Sequence, residues 1–342
     1  MKILILYKWL PDYFHGGLIS LSCDGHEILV VERHRDSNAP YRFEVTSGIT
    51  LKSIDEQGFD YCLKLSQEFQ ADLVYVHGWS ERLFVKIAST LSVNNIIMGL
   101  DNPWRGTIRQ KLGTLVFRIR FKGIFTDCWV AGPSQYEFAR RIGFKHNAIQ
   151  LGVYCGNTDR FISAPIENHS REPKTLLYLG RFVDYKNPLD LLDAFTEIEN
   201  SIWNLKFVGS GPLQSEIANK ASSRVSQMGF IQPDELPSLL SDVDAFILPS
   251  TNEHYGVVVH EAALMSKPII ISDTVYSKYD FVIDGYNGFV YETESIKSLK
   301  NSLLKLFELT DKQLTEFGKR SLDLSKSNSY VIWKAKFLSF KK

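Results

Sequence analysis

Short apolar segments alternate with stretches of helical pattern along nearly the whole sequence. Each segment is almost continuously apolar and closes on Gly, Ser or Asp before the next helical stretch, a pattern typical of parallel strands covered on both faces. The predicted strands of the first half are KILIL (2–6), HEILVVE (26–32), DLVYVHG (72–78), NIIMGL (95–100), FTDCWVAG (125–132) and NAIQLG (147–152). Those of the second half are KTLLYLG (174–180), LKFVGSG (205–211), VSQMG (225–229), DAFILPS (244–250), KPIIISD (267–273) and NGFVYE (287–292). This alternation predicts an α/β protein with two doubly wound, Rossmann-like units.

The length of the chain agrees with two domains. It has 342 residues, and a domain commonly takes roughly 100 to 200. The segment from Ile162 to Pro173 is polar, carries two prolines and lacks periodicity, so it is the predicted linker. We therefore expect an N-terminal domain over 1–165, a C-terminal domain over 172–326 and a final segment over 327–342.

Charge and composition exclude several classes of protein. Basic and acidic residues balance at 39 and 39, and the balance gives no reason to expect a nucleic-acid partner. No apolar run approaches the ~20 residues of a membrane-spanning helix, and Lys8 interrupts the apolar N-terminus where a signal peptide would continue. We expect a soluble, unexported, cytoplasmic protein.

The familiar cofactor motifs are incomplete. The stretch Gly209-Ser-Gly211 begins like a dinucleotide fingerprint but has Gln214 where the third Gly belongs, and no phosphate-binding P-loop motif occurs. His260-Glu261 begins like a zinc-protease helix and lacks the second His. The four cysteines form no metal-ligand spacing. We therefore expect neither a cofactor nor a metal.

Residues 244–273 contain the strongest candidate for a binding site. A predicted strand ends at Leu248, and Gly256 opens a helix whose Val257 and Val258 N–H groups would favour a phosphate. Glu253 and Glu261 lie eight positions apart, where carboxylates can accept hydrogen bonds from sugar hydroxyls. Taken alone, they could equally be a carboxylate at a helix start and a solvated helical residue.

This stretch resembles the signature of the retaining glycosyltransferases of family 4, which have the GT-B fold. Two glutamates eight apart, a Gly three residues after the first and a preceding Pro-Ser pair match at Glu253, Glu261, Gly256 and 249–250. The resemblance implies two doubly wound domains that face a cleft, with a C-terminal helix that crosses back to the N-terminal domain.

Further motifs of the second half support the resemblance. GRFVDYKNP resembles the family loop whose Arg and Lys hold the donor pyrophosphate, at Arg181 and Lys186. Two cations are what a pyrophosphate leaving group requires. The G-x-G-P turn at Gly211 also matches, and Ile231 falls on a stretch that resembles the strand whose backbone pairs with the nucleobase.

The first half matches more loosely. Gly16 and Gly17 resemble the paired glycines of the family's first loop, although a turn that needs positive φ would also explain them. His77 resembles a His near the transferred sugar, but it could be a satisfied core residue. Asp101 ends the next predicted strand on the acceptor side and could instead start a turn.

One loop departs from the family pattern. After Asp273 the family often has a Gly-rich loop and a Glu, whereas this chain has TVYSKYD, with Asp280 in the approximate place of the Glu.

The resemblance implies transfer of a sugar from a nucleoside diphosphate sugar to an acceptor hydroxyl, with retention and without a divalent metal. Surface polysaccharide or glycolipid biosynthesis is the expected context, with a carbohydrate or a lipid-linked saccharide as the acceptor. A sugar-nucleotide epimerase of the same fold and a non-catalytic nucleotide-sugar binding protein remain as alternatives.

Two segments give further expectations. Residues 327–340 place Val331, Ile332, Ala335 and Leu338 at helical spacing, which predicts the apolar face of the returning helix. Residues 105–122 interleave cations with apolar residues and contain no acid, a composition typical of a helix on an anionic membrane surface. A surface helix packed on its own sheet and an anionic soluble acceptor are the alternatives.

Overall fold

The computed structural model describes residues 1–33, 46–121, 123–162, 172–199 and 201–341. The chain forms two compact units, Met1–Cys155 with Tyr330–Lys342, and Gly156–Ser329. The chain passes from the first unit to the second between Cys155 and Gly156, and it returns between Ser329 and Tyr330. The first of these two crossings lies before the predicted linker. Gly156 already bonds to the second unit, because its N–H donates to His260 Nδ1 over 2.9 Å. The linker residues 163–171 lie outside the described residues.

The first unit is a parallel sheet with helices between its strands. Its described strands are β1 (Lys2–Tyr7), β2 (Glu27–Glu32), β3 (Ile49–Ser53), β4 (Leu73–His77), β5 (Ile96–Leu100), β6 (Asp127–Val130) and β7 (Ile149–Leu151). Its described helices up to Cys155 are α1 (Asp12–Cys23), α2 (Ile54–Gln57), α3 (Phe59–Phe69), α4 (Arg82–Ser89), α5 (Ile108–Arg120) and α6 (Pro133–Ile142).

The strand order of this sheet is β3-β2-β1-β4-β5-β6-β7 among the described residues, and the paired strands are parallel. All six predicted strands of the first half are confirmed. The prediction missed β3, whose sequence ITLKS alternates apolar and polar residues and is only partly buried. Such an edge strand lacks the continuous apolar run that marks the buried ones.

The second unit repeats this architecture. Its described strands are β8 (Lys174–Leu179), β9 (Trp203–Val208), β10 (Val225–Met228), β11 (Ala245–Leu248), β12 (Ile269–Ser272) and β13 (Gly288–Tyr291), all of them predicted. Their order is β10-β9-β8-β11-β12-β13. The described helices are α7 (Thr158–Ile162), α8 (Pro188–Thr196), α9 (Gln214–Lys220), α10 (Leu236–Ser241), α11 (Val257–Leu264), α12 (Lys278–Phe281), α13 (Ile296–Phe307) and α14 (Asp311–Ser325).

Each sheet is the centre of its own hydrophobic core. Alternate residues of one strand face opposite layers of helices, so β1 and β8 are buried on both faces. In the second unit, Tyr178 pairs with Phe207 on one side and with Ile247 on the other, and all three side chains are buried. The prediction of two doubly wound α/β units is confirmed.

The last helix, α15 (Tyr330–Leu338), belongs to the first unit, as predicted for the returning segment. The predicted apolar face was wrong. Tyr330, Trp333 and Phe337 are the buried residues of α15, whereas Val331 is 74% exposed. The Trp333 and Phe337 rings stack 5.5 Å apart, and large aromatic surfaces gain more from burial than the aliphatic residues of the opposite side.

Candidate functional site

In each sheet the strand order reverses at one point between two neighbouring strands. This switch point creates a crevice beyond the carboxyl ends of those strands. In the second unit β8 lies between β9 and β11, and the chain leaves the ends of β8 and β11 in opposite directions along the sheet. Ligands of open α/β sheets bind at such a switch point, beyond the carboxyl ends of the strands. Arg181 follows β8, and Glu253 lies in the loop after β11. The two motifs, distant in sequence, therefore meet at one position of the fold.

Lys186 and Glu253 form an ion pair there. Their side chains are mostly buried, with 16% and 14% exposed. Ser250 Oγ donates to the same Oε2 of Glu253 over 3.3 Å, and Ser250 is fully buried. The predicted cation and the predicted carboxylate are thus in direct contact. The serine of the Pro-Ser pair holds the carboxylate through its hydroxyl group.

Arg181 is exposed and lies in the same loop as Lys186. Its guanidinium donates to Tyr185 OH and lies 5.6 Å from the centre of the Tyr185 ring. The carbonyl oxygen of Tyr185 accepts from the Thr251 N–H over 2.9 Å, which joins the loop after β8 to the loop after β11. Tyr178 OH donates to the Arg181 carbonyl over 2.8 Å, and burial, with a further contribution from the Glu253 charge, raises the pKa of Tyr178.

The turn after β9 braces this cationic loop through two glycines. A Cβ on Gly209 would lie 2.0 Å from the Gly180 carbonyl oxygen, and one on Gly211 would lie 2.5 Å from that of Phe182. Their φ angles are +143° and +155°, a region that favours glycine. The predicted Gly211 therefore allows the two loops to touch. This packing of backbone against backbone is a structural role of Gly211.

Gly256 starts α11 as the sequence predicts. Its φ of +92° and the contacts that a Cβ would make, 3.0 Å from Leu248 and 3.1 Å from Val275, both favour glycine. Val257 and Val258 form the first turn of α11, where backbone N–H groups lack partners within the helix. An anion beside Lys186 would find these donors on a neighbouring loop of the same unit.

Glu261 lies one turn further along α11 and is only 7% exposed. The interpretation of Glu261 as a solvated helical residue is therefore wrong. The preceding residue, His260, is also buried; it accepts from the Gly156 N–H and its Nε2 lies 3.2 Å from the Ser325 carbonyl oxygen. Burial lowers the pKa of His260 to about 4, an effect that hydrogen bonds to the backbone partly offset.

Ile231 does not lie in a strand. β10 ends at Met228, and Ile231 follows in an extended connection before a short 3-10 helix over Pro233–Glu235. The side chain is buried. The expected strand position of Ile231 is therefore corrected to a loop position, because β10 ends three residues before it.

Gly16 and Gly17 also lie elsewhere than expected. Both are buried inside α1, which begins at Asp12, and neither has a positive φ. A Cβ on Gly17 would lie 2.9 Å from the Trp333 ring. Close packing of α15 on α1 therefore accounts for Gly17, and the expected loop is wrong.

His77 and Asp101 come together at the ends of β4 and β5. His77 Nε2 lies 3.8 Å from Asp101 Oδ2. The same oxygen accepts from Tyr154 OH over 3.0 Å, and Tyr7 stacks on the imidazole with centroids 4.1 Å apart. Because β4 adjoins β1 at the point where the strand order reverses, His77 occupies the switch point of the first unit.

Asp280 lies in α12, which follows β12, and is held by Tyr255, the residue before Gly256. Tyr255 OH donates to Asp280 Oδ2 over 2.7 Å. The Ser277 N–H donates to the Tyr255 carbonyl oxygen over 2.9 Å, which ties the loop after β12 to the start of α11. Asp280 therefore has a positioning contact that the family's Gly-rich pattern did not predict.

Several residues around these sites were missed by the sequence prediction, namely Tyr75, Tyr154, Tyr185 and Tyr255. Tyr75 could have been found, because strand alternation places residues 75 and 77 on one face of β4. Tyr154 could not, since its contact with Asp101 spans 53 positions. No cluster of three or more His, Cys, Asp or Glu suited to a metal occurs within the described ranges.

Residues 159–322 match the model of the family described as glycosyl transferases group 1. This segment is thus similar to the group 1 glycosyl transferases. An uncharacterized glycosyltransferase of Methanocaldococcus jannaschii is 31% identical over 158 residues, which are 45% of this chain and 44% of that protein. The capsular polysaccharide biosynthesis glycosyltransferase CapM of Staphylococcus aureus is 26% identical over 209 residues, 55% of this chain and 54% of CapM. The matched segments span about half the length of these relatives.

A solved structure has the same fold as this chain. Anabaena Alr3699/HepE in complex with UDP-glucose superposes with a TM-score of 0.79 at 16% identity, over 99% of this chain and 98% of that chain. The fold is GT-B, as the resemblance implied. In the described part of the chain no helix is both long and apolar enough to cross a membrane.

Proposed function

We propose that the chain is a retaining glycosyltransferase that moves a sugar from a nucleoside diphosphate sugar to an acceptor hydroxyl. One observation carries the proposal: Lys186 pairs with Glu253 where the loop after β8, which also carries Arg181, meets the loop that leads from β11 to α11. Cations, backbone N–H donors and a carboxylate are the groups that a sugar diphosphate needs. The fold shared with a protein solved with UDP-glucose agrees with such a donor.

In the proposed reaction the bond between the anomeric carbon and the diphosphate oxygen breaks, and its electron pair leaves with the diphosphate. Arg181 and Lys186 stabilise the charge that develops there. The acceptor oxygen forms the new bond on the same face of the sugar, and its proton passes to the leaving phosphate oxygen. No protein base is then required. These two cations supply the charge compensation that a divalent metal gives in other transferases, so we propose a reaction without metal or cofactor.

Glu253, held by Lys186 and Ser250, would orient hydroxyls of the transferred sugar. Glu261 would accept from the ribose, and the Val257 and Val258 N–H groups would bind phosphate oxygens. In the first unit, His77 would contact the transferred sugar, with Asp101 on the acceptor side. Gly16, Gly17 and Ile231 remain predictions for the donor site, at the positions described above.

A ligand screen followed by a turnover assay tests this function. A nucleoside diphosphate sugar that binds the native state raises the melting temperature, so UDP, GDP and ADP sugars are compared first. The donor that gives the shift is then labelled in its sugar and incubated with saccharide acceptors. Sugar transfer supports the proposal. Epimerised donor without an acceptor would support the epimerase, and binding without turnover would support the non-catalytic protein; either result contradicts transfer.

For the acceptor we propose a lipid-linked saccharide at an anionic membrane surface, in surface polysaccharide or glycolipid biosynthesis. The name of the relative CapM, a capsular polysaccharide biosynthesis glycosyltransferase, is in keeping with this context. The observation specific to this chain is α5. Five of its apolar side chains are exposed, from 46% to 77%: Ile108, Leu112, Leu115, Val116 and Ile119.

These side chains form a single stripe. At about 100° per residue, they fall on one side of α5, opposite Phe117, which is fully buried against the first unit. Exposed cations flank the stripe, with Arg109 and Arg120 on one side and Lys111 and Arg118 on the other. An apolar stripe between two rows of cations suits the boundary between anionic headgroups and acyl chains. It does not suit the alternative in which the apolar face packs on its own sheet.

Sedimentation with vesicles tests the membrane proposal. Each cation near an anionic surface contributes about 1 kcal/mol, so we expect salt-sensitive binding to phosphatidylglycerol vesicles and none to phosphatidylcholine vesicles. Replacing Arg118, Arg120 and Lys122 by Gln should abolish it, although Lys122 lies outside the described residues. Replacing the exposed Lys297, Lys312 and Lys319 by Gln is the matched control. Absence of binding at low salt, or equal binding by both triple variants, would exclude this surface.

A further inference from the structure

Tyr75 and His77 are joined beneath the candidate site of the first unit. Both belong to β4, and Tyr75 OH lies 2.9 Å from His77 Nδ1. Gly99 of the neighbouring β5 pairs with His77 in the sheet register, and a Cβ at Gly99 would lie 1.9 Å from the phenol oxygen. The contact therefore depends on glycine at position 99, which leaves the space that the phenol occupies.

The direction of this hydrogen bond follows from burial. Tyr75 is fully buried, and burial, together with the charge of Asp101, raises its pKa well above the ordinary value, so the phenol keeps its proton. A buried hydroxyl must donate that proton to an acceptor, and within the described residues Nδ1 of His77 is the acceptor at hand. Nδ1 therefore accepts, and in the neutral ring Nε2 carries the proton.

The surroundings of the imidazole fix where the Nε2–H group points. Tyr7 stacks on the ring with an interplanar angle of 11°, which restricts rotation of the ring plane. Nε2 faces Asp101 Oδ2 at 3.8 Å, longer than a direct hydrogen bond. A sugar hydroxyl can accept from an N–H and donate to a carboxylate at once. The spacing of these two groups suits such a hydroxyl.

We infer that Tyr75 is a positioning residue: its phenol holds His77 in the Nε2–H tautomer, so that His77 is presented as a hydrogen-bond donor beside Asp101. This inference rests on the proposed function for its effect on sugar transfer. The tautomer itself does not depend on turnover.

Nitrogen NMR of histidine-labelled protein measures the tautomer directly. Among the eight histidines of the chain, the His77 signals are identified by their loss in His77→Gln. At pH 8, where an ordinary imidazole is neutral, we expect the wild-type His77 signals to show an unprotonated Nδ1 and a protonated Nε2. Tyr75→Phe keeps the ring packing and removes the donor, so the signals should move toward a mixture of tautomers. Tyr330→Phe removes a comparable buried hydroxyl, which donates to the Tyr13 carbonyl over 2.7 Å, and should leave the His77 signals in place.

Enzyme kinetics distinguish a positioning role of Tyr75 from a general effect on protein stability. With the donor identified above, Tyr75→Phe should lower kcat/KM about tenfold through loss of one hydrogen bond, while the affinity for the free nucleoside diphosphate stays unchanged. Tyr330→Phe should keep wild-type kinetics. A protonated Nδ1 in the wild type, or unchanged His77 signals in Tyr75→Phe, would overturn the inference. Altered signals with unchanged kcat/KM would overturn the catalytic part alone. If the wild type transfers no sugar, the proposed function fails, and the NMR result still decides the tautomer.

Discussion

At the scale of single residues, the Lys186–Glu253 contact is the main feature of the second unit. Two opposite charges with most of their surface buried lose hydration, and each compensates the other. A bound diphosphate would offer Lys186 a second anionic partner, and sugar hydroxyls would offer Glu253 new donors. The pair therefore keeps both side chains in place before the donor arrives, which reduces the ordering needed on binding.

The first prediction concerns the two cations. Lys186→Ala and Arg181→Ala should each lower kcat/KM by the equivalent of about 2 to 4 kcal/mol, because each removes a charge-assisted contact with the leaving diphosphate. Lys300→Ala is the matched control, since Lys300 forms a peripheral pair of 2.9 Å with Glu197. Steady-state kinetics on folded variants measures the effect, and wild-type kcat/KM in both site variants would mean that the site is misplaced.

A second prediction separates the two glutamates. Glu261→Gln should mainly weaken binding of the free nucleoside diphosphate, since Glu261 is proposed to contact the ribose. Glu253→Gln should mainly lower kcat, since Glu253 is proposed to act on the transferred sugar. Calorimetric binding of the nucleotide and kinetics with the full donor distinguish these effects. The reverse pattern would exchange the two roles.

At the scale of elements, the site depends on loops that approach each other closely. The loop after β8 carries both cations, and the turn after β9 contacts it through glycine backbone. The Phe182 N–H donates to the Ser210 carbonyl oxygen over 2.8 Å, which completes the contact. The position of Arg181 and Lys186 is thus determined partly by residues that carry no functional group.

The third prediction tests this bracing. In Gly211→Ala the new Cβ would lie 2.5 Å from the Phe182 carbonyl oxygen at a φ of +155°, so we expect a loss of about 1 to 3 kcal/mol in unfolding free energy. Donor affinity should fall as the cationic loop shifts. At Gly229 a Cβ would meet nothing within 4 Å, and Gly229→Ala should change stability by less than about 0.5 kcal/mol. Equal urea midpoints for the two variants would contradict the bracing.

Elements with a strong local pattern were the predictable part of the structure. The buried strands and the glutamate pair were found because apolar runs and motif spacing lie within a short stretch of chain. The roles of Gly17 and Trp333 were not, because their contact joins opposite ends of the sequence. Likewise, the pairing of Lys186 with Glu253 spans 67 positions and follows only from the strand order. Local sequence thus indicates which residues matter, and the topology decides what each of them contacts.

At the scale of the whole molecule, the end of the chain completes the first unit. Trp333 of α15 contacts α1 at Gly17, its Nε1 donates to the Val153 carbonyl over 2.9 Å, and its ring lies 5.0 Å from that of Trp129. The chain leaves the first unit after Cys155 and returns at Tyr330. The first unit therefore cannot be complete until the second has been synthesised.

The fourth prediction concerns this closure. Trp333→Ala should lower the free energy of unfolding by about 3 to 5 kcal/mol, as expected for removal of a buried Trp. Val331→Ala on the exposed side of α15 should change it by less than about 0.5 kcal/mol. Deleting 327–342 should lower stability at least as much as Trp333→Ala. Melting curves provide the comparison, and a deletion variant that melts like the wild type would show that α15 is dispensable.

The two segments next to the points where the chain changes units both contact His260 of the second unit. His260 accepts from the Gly156 N–H next to the first crossing, and its Nε2–H donates to the Ser325 carbonyl oxygen shortly before the second. The imidazole is stacked on Phe281 with centroids 4.3 Å apart. Because Nδ1 must accept from Gly156, a proton on Nδ1 would break that hydrogen bond. His260 can therefore serve both segments only while it is neutral.

The fifth prediction is a pH dependence with a defined sign. Burial lowers the pKa of His260 to about 4 in the folded chain, whereas an unfolded His titrates near about 6.5. The contribution of neutral His260 to the free energy of unfolding is complete above pH ~6.5. It is lost as the pH falls toward ~4, because in this range only the unfolded state binds the proton. The total loss is about 3 kcal/mol. Urea unfolding between pH 4 and 8, with hydrogen exchange of α11 to report the second unit, measures it. His260→Gln should be less stable at pH 8 but should lose this part of the slope. If the curves of wild type and variant run parallel over that range, His260 does not control the acid sensitivity of the second unit.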